Sequence, residues 1–179
     1  MEWWKLSPRC GSAVKYFAIA AALASGLSVR AGDDASVPYP SGYRSWTFLH
    51  GSTIPPKLPG FWKRPCEKPC TAGIFYFYGN EKAMQGLRTG NYPDGAVLAE
   101  ELLEFLGSES GSGKEGERRL VGVMVKDSRK YSTTAGWGFG TFDEGSQVSV
   151  LTSAEMKACF QCHVARKDQG YVFTKYQER

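Results

Sequence analysis

The residues best suited to chemistry lie near the end of the chain, in the stretch "ACFQCHVARK". Cys159 and Cys162, two of only five cysteines, are three positions apart there, and His163, one of two histidines, follows directly. Cys-x-x-Cys-His is the attachment signature of c-type haem. Two thiols one helical turn apart can each add to a vinyl group of one porphyrin, and the adjacent imidazole can bind the iron. The motif predicts one covalent haem c per chain, held by Cys159 and Cys162, with His163 as the proximal iron ligand.

Two other uses of the cysteines stay open at this point. Cys66 and Cys70 can complete a four-cysteine zinc site with Cys159 and Cys162, but that site gives His163 no role and needs reduced thiols after export. A thioredoxin-like dithiol needs a βαβ unit, for which the surrounding sequence has no pattern. We interpret Cys66 and Cys70 as a small disulfide that closes a proline-rich loop.

The N-terminus has the pattern of an export signal. Three basic residues precede an apolar run over residues 16–29 that is short for a membrane span. We expect cleavage after Ala31, with Ala24 as the alternative, and a location in the periplasm; an uncleaved membrane anchor is the other interpretation. The expected organisation is a signal peptide over residues 1–31, a flexible segment over 32–42 and a haem domain over 43–179.

The charge of the chain resides mainly in this signal. The 179 residues carry a net charge of +4, but four basic residues and one acidic residue lie within residues 1–31, which leaves a charge near +1 for the rest. Nucleic-acid binding needs a clustered basic face, so it is not expected. No other stretch is apolar enough to span a membrane, so we expect no membrane contact after cleavage.

Strands and short helices must position the motif. Alternating and aromatic segments predict an α+β fold, mostly an antiparallel sheet with a few short helices, and a C-terminal helix that carries the haem motif. Ser41 is expected to cap a short helix through Trp46, and Asn80 a helix that ends before Gly90. Ser153 is expected to cap the motif helix. The predicted strands cover residues 73–80, 96–105, 118–127 and 135–143, the middle two as a hairpin, while residues 51–70 resemble a loop with five prolines.

The iron has few candidates for a second protein ligand. No Met or His follows His163, and Met156 lies one turn before Cys159 on the same helix, so it cannot reach the opposite side of the iron. Met84 and Met124 are expected in the core. His50 is the remaining imidazole, and we interpret it as a strand or loop histidine, with ligation as the alternative. The census predicts five-coordinate iron that binds small diatomic molecules.

Several short motifs occur in the order seen in the cytochrome P-460 family, which includes the cytochromes c′-beta. They are "YRSW", "YGN", "PDGAV", "VMVKD", "GWGF", "CFQCH" and "VFT", spread from Tyr43 to Thr174. The chain resembles this family, and not the four-helix-bundle cytochromes c′, because it has 21 glycines and several strand-like segments. The resemblance implies a mostly antiparallel β fold, a covalent haem c, and His163 as the proximal ligand of five-coordinate iron.

Two positions depart from the family's hydroxylamine-oxidising members. Those members cross-link a lysine to the haem, and the matching position here is Glu100, followed by Glu101. Their distal carboxylate matches Gly122. The resemblance therefore favours the c′-beta type, with a phenylalanine-lined distal pocket. We expect Glu100 to lie in the distal pocket, where burial should raise the pKa of its carboxyl; the alternative is that one of Glu100 and Glu101 faces solvent at an edge of the sheet. The aromatic lining is expected to come from Phe75, Phe77, Phe139 and Phe142.

Three functions follow in order of preference. The first is an exported c-type cytochrome that binds nitric oxide or a similar small ligand. The first alternative is an oxidoreductase of hydroxylamine or related nitrogen compounds, which is disfavoured because the cross-linking lysine is missing. The second is a simple electron carrier, which is disfavoured because a second iron ligand is missing. The partners expected are the small ligand and an electron-transfer protein. Family members are often dimers, so a homodimer is a further expectation.

Overall fold

The computed structural model describes residues 36–54, 73–107 and 112–175. This part of the chain forms one antiparallel sheet in which each strand pairs with the next in sequence. The strands are β1 (Thr47–Ile54), β2 (Gly73–Gly79), β3 (Val97–Gly107), β4 (Gly113–Lys126) and β5 (Trp137–Asp143). The helices are α1 (Glu81–Thr89) and α2 (Ser153–His163), with 3₁₀ turns at Tyr43–Ser45, Ser132–Thr134 and Val164–Gln169. The predicted α+β class is confirmed.

The two faces of the sheet are covered differently. On the first, which we call the helical face, Leu98 and Phe139 form a buried cluster with Met84 of α1. Cys159 and Phe160 of α2 pack against this cluster. On the opposite face, Ala99, Val121 and Phe142 are buried beneath the segment that contains Val37 and Tyr43. Successive residues of a strand point to alternate faces, so each central strand contributes to both clusters.

Helix α1 begins and ends where the sequence indicates. The side chain of Asn80 accepts hydrogen bonds from the backbone N–H groups of Ala83 at 2.8 Å and Val97 at 3.0 Å. It therefore caps the helix and ties it to the start of β3. Gly90 ends the helix in the left-handed conformation, with φ of 77°. Met84 is buried, and Met124 packs against the same cluster, so both are core residues as predicted.

Three local predictions were wrong. Strand β1 was missed, because its residues are mostly exposed at the edge of the sheet and its pairing shifts between Phe48 and His50. Tyr43–Ser45 is a 3₁₀ turn preceded by Gly42, without the side-chain cap expected from Ser41. Thr152 replaces Ser153 as the cap of α2, since its hydroxyl accepts from Glu155 N and the Glu155 side chain bonds back to the Thr152 backbone.

Several predictions lie outside the described residues. They concern the signal peptide over residues 1–31, residues 32–35 of the segment 32–42, and the disulfide between Cys66 and Cys70, which stays a prediction. Within the described ranges, no helix combines the length and apolar character needed to cross a membrane.

Candidate functional site

Helix α2 presents the Cys-x-x-Cys-His motif beside the sheet. Cys159 is partly buried against the cluster of the helical face, whereas Cys162 is exposed, and both are free thiols. Burial is the main reason why the pKa of the Cys159 thiol is raised. No residue of α2 is fully buried, although Met156, Cys159 and Phe160 all pack toward the sheet. The two sulfurs thus lie one turn apart on a helix that is not sealed into the core.

The imidazole of His163 is held in one orientation. Its Nδ1 lies 2.7 Å from the carbonyl oxygen of Tyr171. A carbonyl only accepts, so Nδ1 carries the hydrogen and Nε2 of the neutral ring has a free lone pair. The ring centroid lies 5.0 Å from those of both Phe139 and Phe173. Burial lowers the pKa of His163, against the smaller opposite effect of the Tyr171 carbonyl, so the neutral form that binds a metal is favoured.

A left-handed turn supports this histidine. Gly170 and Tyr171 have positive φ angles of 65° and 69°. The carbonyl of Gly170 accepts a hydrogen bond from the indole of buried Trp137 at 3.0 Å, while that of Tyr171 accepts from His163. The Phe160 ring lies 5.4 Å from the Tyr171 ring, so the turn is also packed against α2. Two consecutive carbonyls are therefore fixed by partners from β5 and α2.

A row of residues crosses the helical face of the sheet beneath this site. The register pairs Phe77 of β2 with Glu100 of β3, and Glu100 with Gly122 of β4. The row ends at Thr141 on β5 and at His50 on β1, whose ring stacks on Phe77 at a centroid distance of 4.4 Å. A Cβ atom at Gly122 would lie 2.5 Å from Oε1 of Glu100. The missing side chain at Gly122 thus leaves room for the Glu100 carboxyl.

The carboxylate of Glu100 is not stabilised by a charge or hydrogen bond from the described residues. Burial raises its pKa to about 7, and no charge or hydrogen bond from the described residues contributes to that shift. The side chain keeps a partly exposed surface, but the neighbours in its row are aromatic or lack a side chain. Its negative charge also raises the pKa of the Cys159 thiol, second to burial, and Glu100 lies on the sheet face against which Cys159 packs. The raised pKa expected of a buried Glu100 is found, and its place in a haem pocket stays a prediction.

Glu101 points the other way, and the expectation that one of the two glutamates faces solvent was wrong. Its side chain is 1% exposed and pairs with Arg44. Tyr43 donates a hydrogen bond to it at 2.7 Å. Burial, together with that bond, raises the pKa of Tyr43 to about 12. This ion pair anchors the segment before β1 to the face of the sheet opposite α2, so Glu101 has a structural position.

The four candidate phenylalanines divide between the faces. Phe75 and Phe77, whose rings are 5.9 Å apart, lie on the helical face with Phe139. Phe142 packs in the opposite cluster, 5.1 Å from the ring of Tyr39. Its assignment to the pocket lining is therefore corrected. The signal was present in the sequence, because two strand residues three positions apart, such as Phe139 and Phe142, cannot share a face.

The sequence matches the family model of cytochrome P-460 over residues 40–174, about three quarters of the chain. The chain belongs to the cytochrome P-460 family. Its predicted resemblance is therefore confirmed at the level of the family, and the protein is a c-type haem protein. A comparison with curated proteins returned no match.

The residues of this P-460 chain fit a haem c. Two free thiols stand at the attachment spacing, the neighbouring imidazole has a free Nε2, and the adjacent face of the sheet is aromatic. Cys159, Cys162 and His163 can therefore hold the group. The described ranges contain no cluster of three or more His, Cys, Asp or Glu side chains that could hold a metal ion. Cys66 and Cys70, which the zinc alternative needs, lie outside those ranges.

Proposed function

We propose that this member of the P-460 family is an exported c-type cytochrome that binds nitric oxide at a five-coordinate haem iron. Cys159 and Cys162 attach one haem through thioether bonds, and His163 binds the iron through Nε2. The orientation of His163 by the Tyr171 carbonyl is the observation that carries this assignment, because it leaves one ring nitrogen for a metal. The haem supplies an iron coordination position that is open to a small ligand.

The side chains around the site support a diatomic ligand. His50 stacks on Phe77 in the edge strand, and the three methionines of the described residues pack against the core. We therefore assign neither His50 nor any of these methionines as a second iron ligand. Phe75, Phe77 and Phe139 give the helical face an aromatic surface. Nitric oxide depends less than oxygen on hydrogen-bond donors near the iron, so an aromatic surface favours it.

The c′-beta type is the finer assignment that we propose within the family. Glu100 stands where the resemblance places a cross-linking lysine, and its carboxyl occupies the space above Gly122. A carboxylate cannot form the lysine cross-link, so hydroxylamine oxidation is expected to be weak or absent. Turnover of hydroxylamine with an artificial acceptor, at rates typical of lysine-bearing relatives, would assign the protein to the enzymes instead.

Mass and absorption spectra test the proposal directly. The mature protein, expressed with export and haem attachment, should exceed its polypeptide mass by one haem that resists acid-acetone extraction. Its ferrous spectrum should be high-spin and five-coordinate and should change on addition of nitric oxide. His50→Ala should leave this spectrum unchanged, whereas His163→Ala should alter it. Stoichiometric zinc without a Soret band would reject the proposal.

A low-spin, six-coordinate ferrous spectrum that becomes high-spin in His50→Ala would instead identify His50 as the second ligand. The protein would then be an electron carrier. The single variants Cys159→Ala and Cys162→Ala are matched controls for attachment, since each should keep one thioether bond and hold haem less firmly.

Export and assembly are parts of the same proposal. We propose a periplasmic location, an electron-transfer protein as partner and a homodimer. Fractionation, N-terminal sequencing of the mature chain and size-exclusion chromatography with light scattering test these points. Peptide mapping without reduction should recover Cys66 and Cys70 in one linked species, and alkylation of both thiols would contradict the disulfide.

A further inference from the structure

Glu100 takes part in neither the proposed haem attachment nor the proposed iron ligation. It lies in the middle of the sheet, on the helical face, with its carboxyl above Gly122. Leu98, two residues earlier on the same face of β3, belongs to the cluster against which Cys159 packs, and Cys159 is a thiol that the proposed function attaches to haem. The fold therefore holds a carboxyl beside the cofactor position and reserves space for it through the glycine across the strand pair.

Among the described residues, the side chains in the row of Glu100 carry no permanent positive charge. Across the sheet, β2 contributes Phe77, β4 contributes Gly122, β5 contributes Thr141, and β1 contributes the His50 imidazole, which lies behind Phe77. From α2, Cys159 is a titratable side chain on which the charge of Glu100 acts, and Glu155 acts on the same thiol. Once Cys159 and Cys162 form thioethers they no longer titrate. Of the described groups in this row and on α2, His50, Glu155 and the proposed iron ligand His163 then remain, and Lys157 of α2 is exposed.

An uncompensated carboxylate near the haem responds to the charge of the iron. Ferric iron carries one more positive charge than ferrous iron and stabilises a nearby anion better. Reduction removes that charge, so the carboxylate becomes less favourable and the protonated acid more so. No side chain of the described residues pairs with the Glu100 carboxylate to offset this change.

We propose that Glu100 is the proton-accepting residue of the haem site, and that its carboxylate takes up one proton from water when the haem iron gains one electron. The proposal rests on the proposed haem attachment. A one-electron donor would supply the electron to the haem, solvent would supply the proton, and the new O–H bond would form on the Glu100 carboxylate. The net charge of the site is then unchanged.

Redox titration of the holoprotein at a series of pH values tests the coupling. A tenfold change in proton concentration corresponds to about 59 mV for a one-electron, one-proton couple. As pH rises near neutrality, the wild-type midpoint potential should therefore fall by up to about 59 mV per pH unit. Glu100→Gln keeps the shape and hydrogen-bonding capacity of the side chain but cannot titrate, so it should lose most of this slope.

Glu104→Gln is the matched control. It makes the same change on the same strand, at a carboxylate that Arg119 already pairs at 3.0 Å. This variant should keep the wild-type slope. An unchanged slope in Glu100→Gln would overturn the proposal and assign the proton to another group, such as a haem propionate.

Infrared difference spectroscopy gives a second measurement, with Glu100→Gln as its control, because protonation of a haem propionate would give similar bands that persist in this variant. Reduction of the wild-type holoprotein should remove a carboxylate band and produce the carbonyl band of a protonated carboxylic acid. A holoprotein with an intact haem spectrum, but with a flat potential and no such band, would overturn the role of Glu100 alone. A protein that acquires no haem would reject the proposed function itself, so the two failures are distinguishable.

Discussion

The Nδ1 atom of His163 and the backbone carbonyl of Tyr171 are 2.7 Å apart, and this hydrogen bond links the end of helix α2 to a left-handed turn eight residues later. In the same turn, the carbonyl of Gly170 accepts a hydrogen bond from the indole N–H of buried Trp137. The orientation of the imidazole therefore depends on the backbone conformation of the turn at Gly170 and Tyr171. Backbone changes in the turn are expected to reach the haem.

Gly170→Ala should destabilise the protein and disturb the orientation of His163. Gly170 has φ of 65°, and a Cβ atom there would lie 2.7 Å from the ring of Tyr92. Left-handed strain and overpacking together are expected to cost about 2–4 kcal/mol of unfolding free energy. Thermal unfolding and the ferrous absorption spectrum should both change.

Gly145→Ala is the control for strain alone, because Gly145 also has positive φ but open space around its Cα. It should cost about 1 kcal/mol and leave the spectrum unchanged. Equal losses in the two variants would show that the contact with Tyr92 has no energetic weight.

Gly122→Ala should be destabilising because of Glu100. The new methyl group would lie 2.5 Å from Oε1 and 2.7 Å from Cγ of that side chain, which must move. We expect a cost of about 1–3 kcal/mol by chemical denaturation. In a Glu100→Ala background the same substitution should cost less, with a coupling energy of about 1–2 kcal/mol. Additive effects would mean that the carboxyl does not occupy the space above Gly122.

Glu100→Gln should change how stability depends on pH. The carboxyl has a pKa of about 7 in the folded protein against 4.5 for the unperturbed group, so the folded state holds its proton more tightly. This group therefore contributes full stability below about pH 4.5, and that contribution is lost as pH rises toward about 7. A shift of this size corresponds to about 3 kcal/mol over the full pH range.

The comparison of the two proteins cancels the other titrating groups. Between about pH 5 and pH 8, the difference in unfolding free energy between variant and wild type should move in favour of Glu100→Gln by about 2 kcal/mol. Unfolding of both holoproteins across this range measures the difference. A constant difference would show that Glu100 is hydrated or paired in the folded state.

Local features of the fold were predictable from the sequence, and features set by distant partners were not. Asn80, with its helix and Gly90, forms a unit whose start and end lie within a few residues, so helix α1 was predicted correctly. The motif helix was also found, with its cap misplaced by one residue between two neighbouring hydroxyl side chains. Strand β1 was missed because an exposed edge strand needs little of the alternation by which strands are recognised.

The candidate site shows the same division. The spacing of Cys159, Cys162 and His163 was visible in the sequence, but the hydrogen bond that orients His163 depends on a turn with two positive φ angles. Strand periodicity separates Glu100 from Glu101, although it does not tell which face meets α2. That choice is made by packing between residues far apart in the chain.

Arg44→Ala should destabilise the fold without altering the haem. Glu101 is buried and accepts from Arg44 Nε at 3.1 Å and from Tyr43, so loss of the guanidinium leaves a buried carboxylate with one donor. Breaking a fully buried pair costs several kcal/mol, but the Arg44 side chain is 60% exposed, so we expect about 1–3 kcal/mol. Because Glu101 lies on the sheet face opposite α2, the Soret band and the response to nitric oxide should not change.

Arg119→Ala is the matched control for this last prediction. It removes the partner of Glu104, a pair in which both side chains are about a quarter exposed, and should cost less than about 1 kcal/mol. In a Glu101→Gln background, Arg44→Ala should lose most of its effect, because an amide leaves no buried charge to compensate. If Arg44→Ala shifts the Soret band, the two faces of the sheet are coupled, and the purely structural position of Glu101 is contradicted.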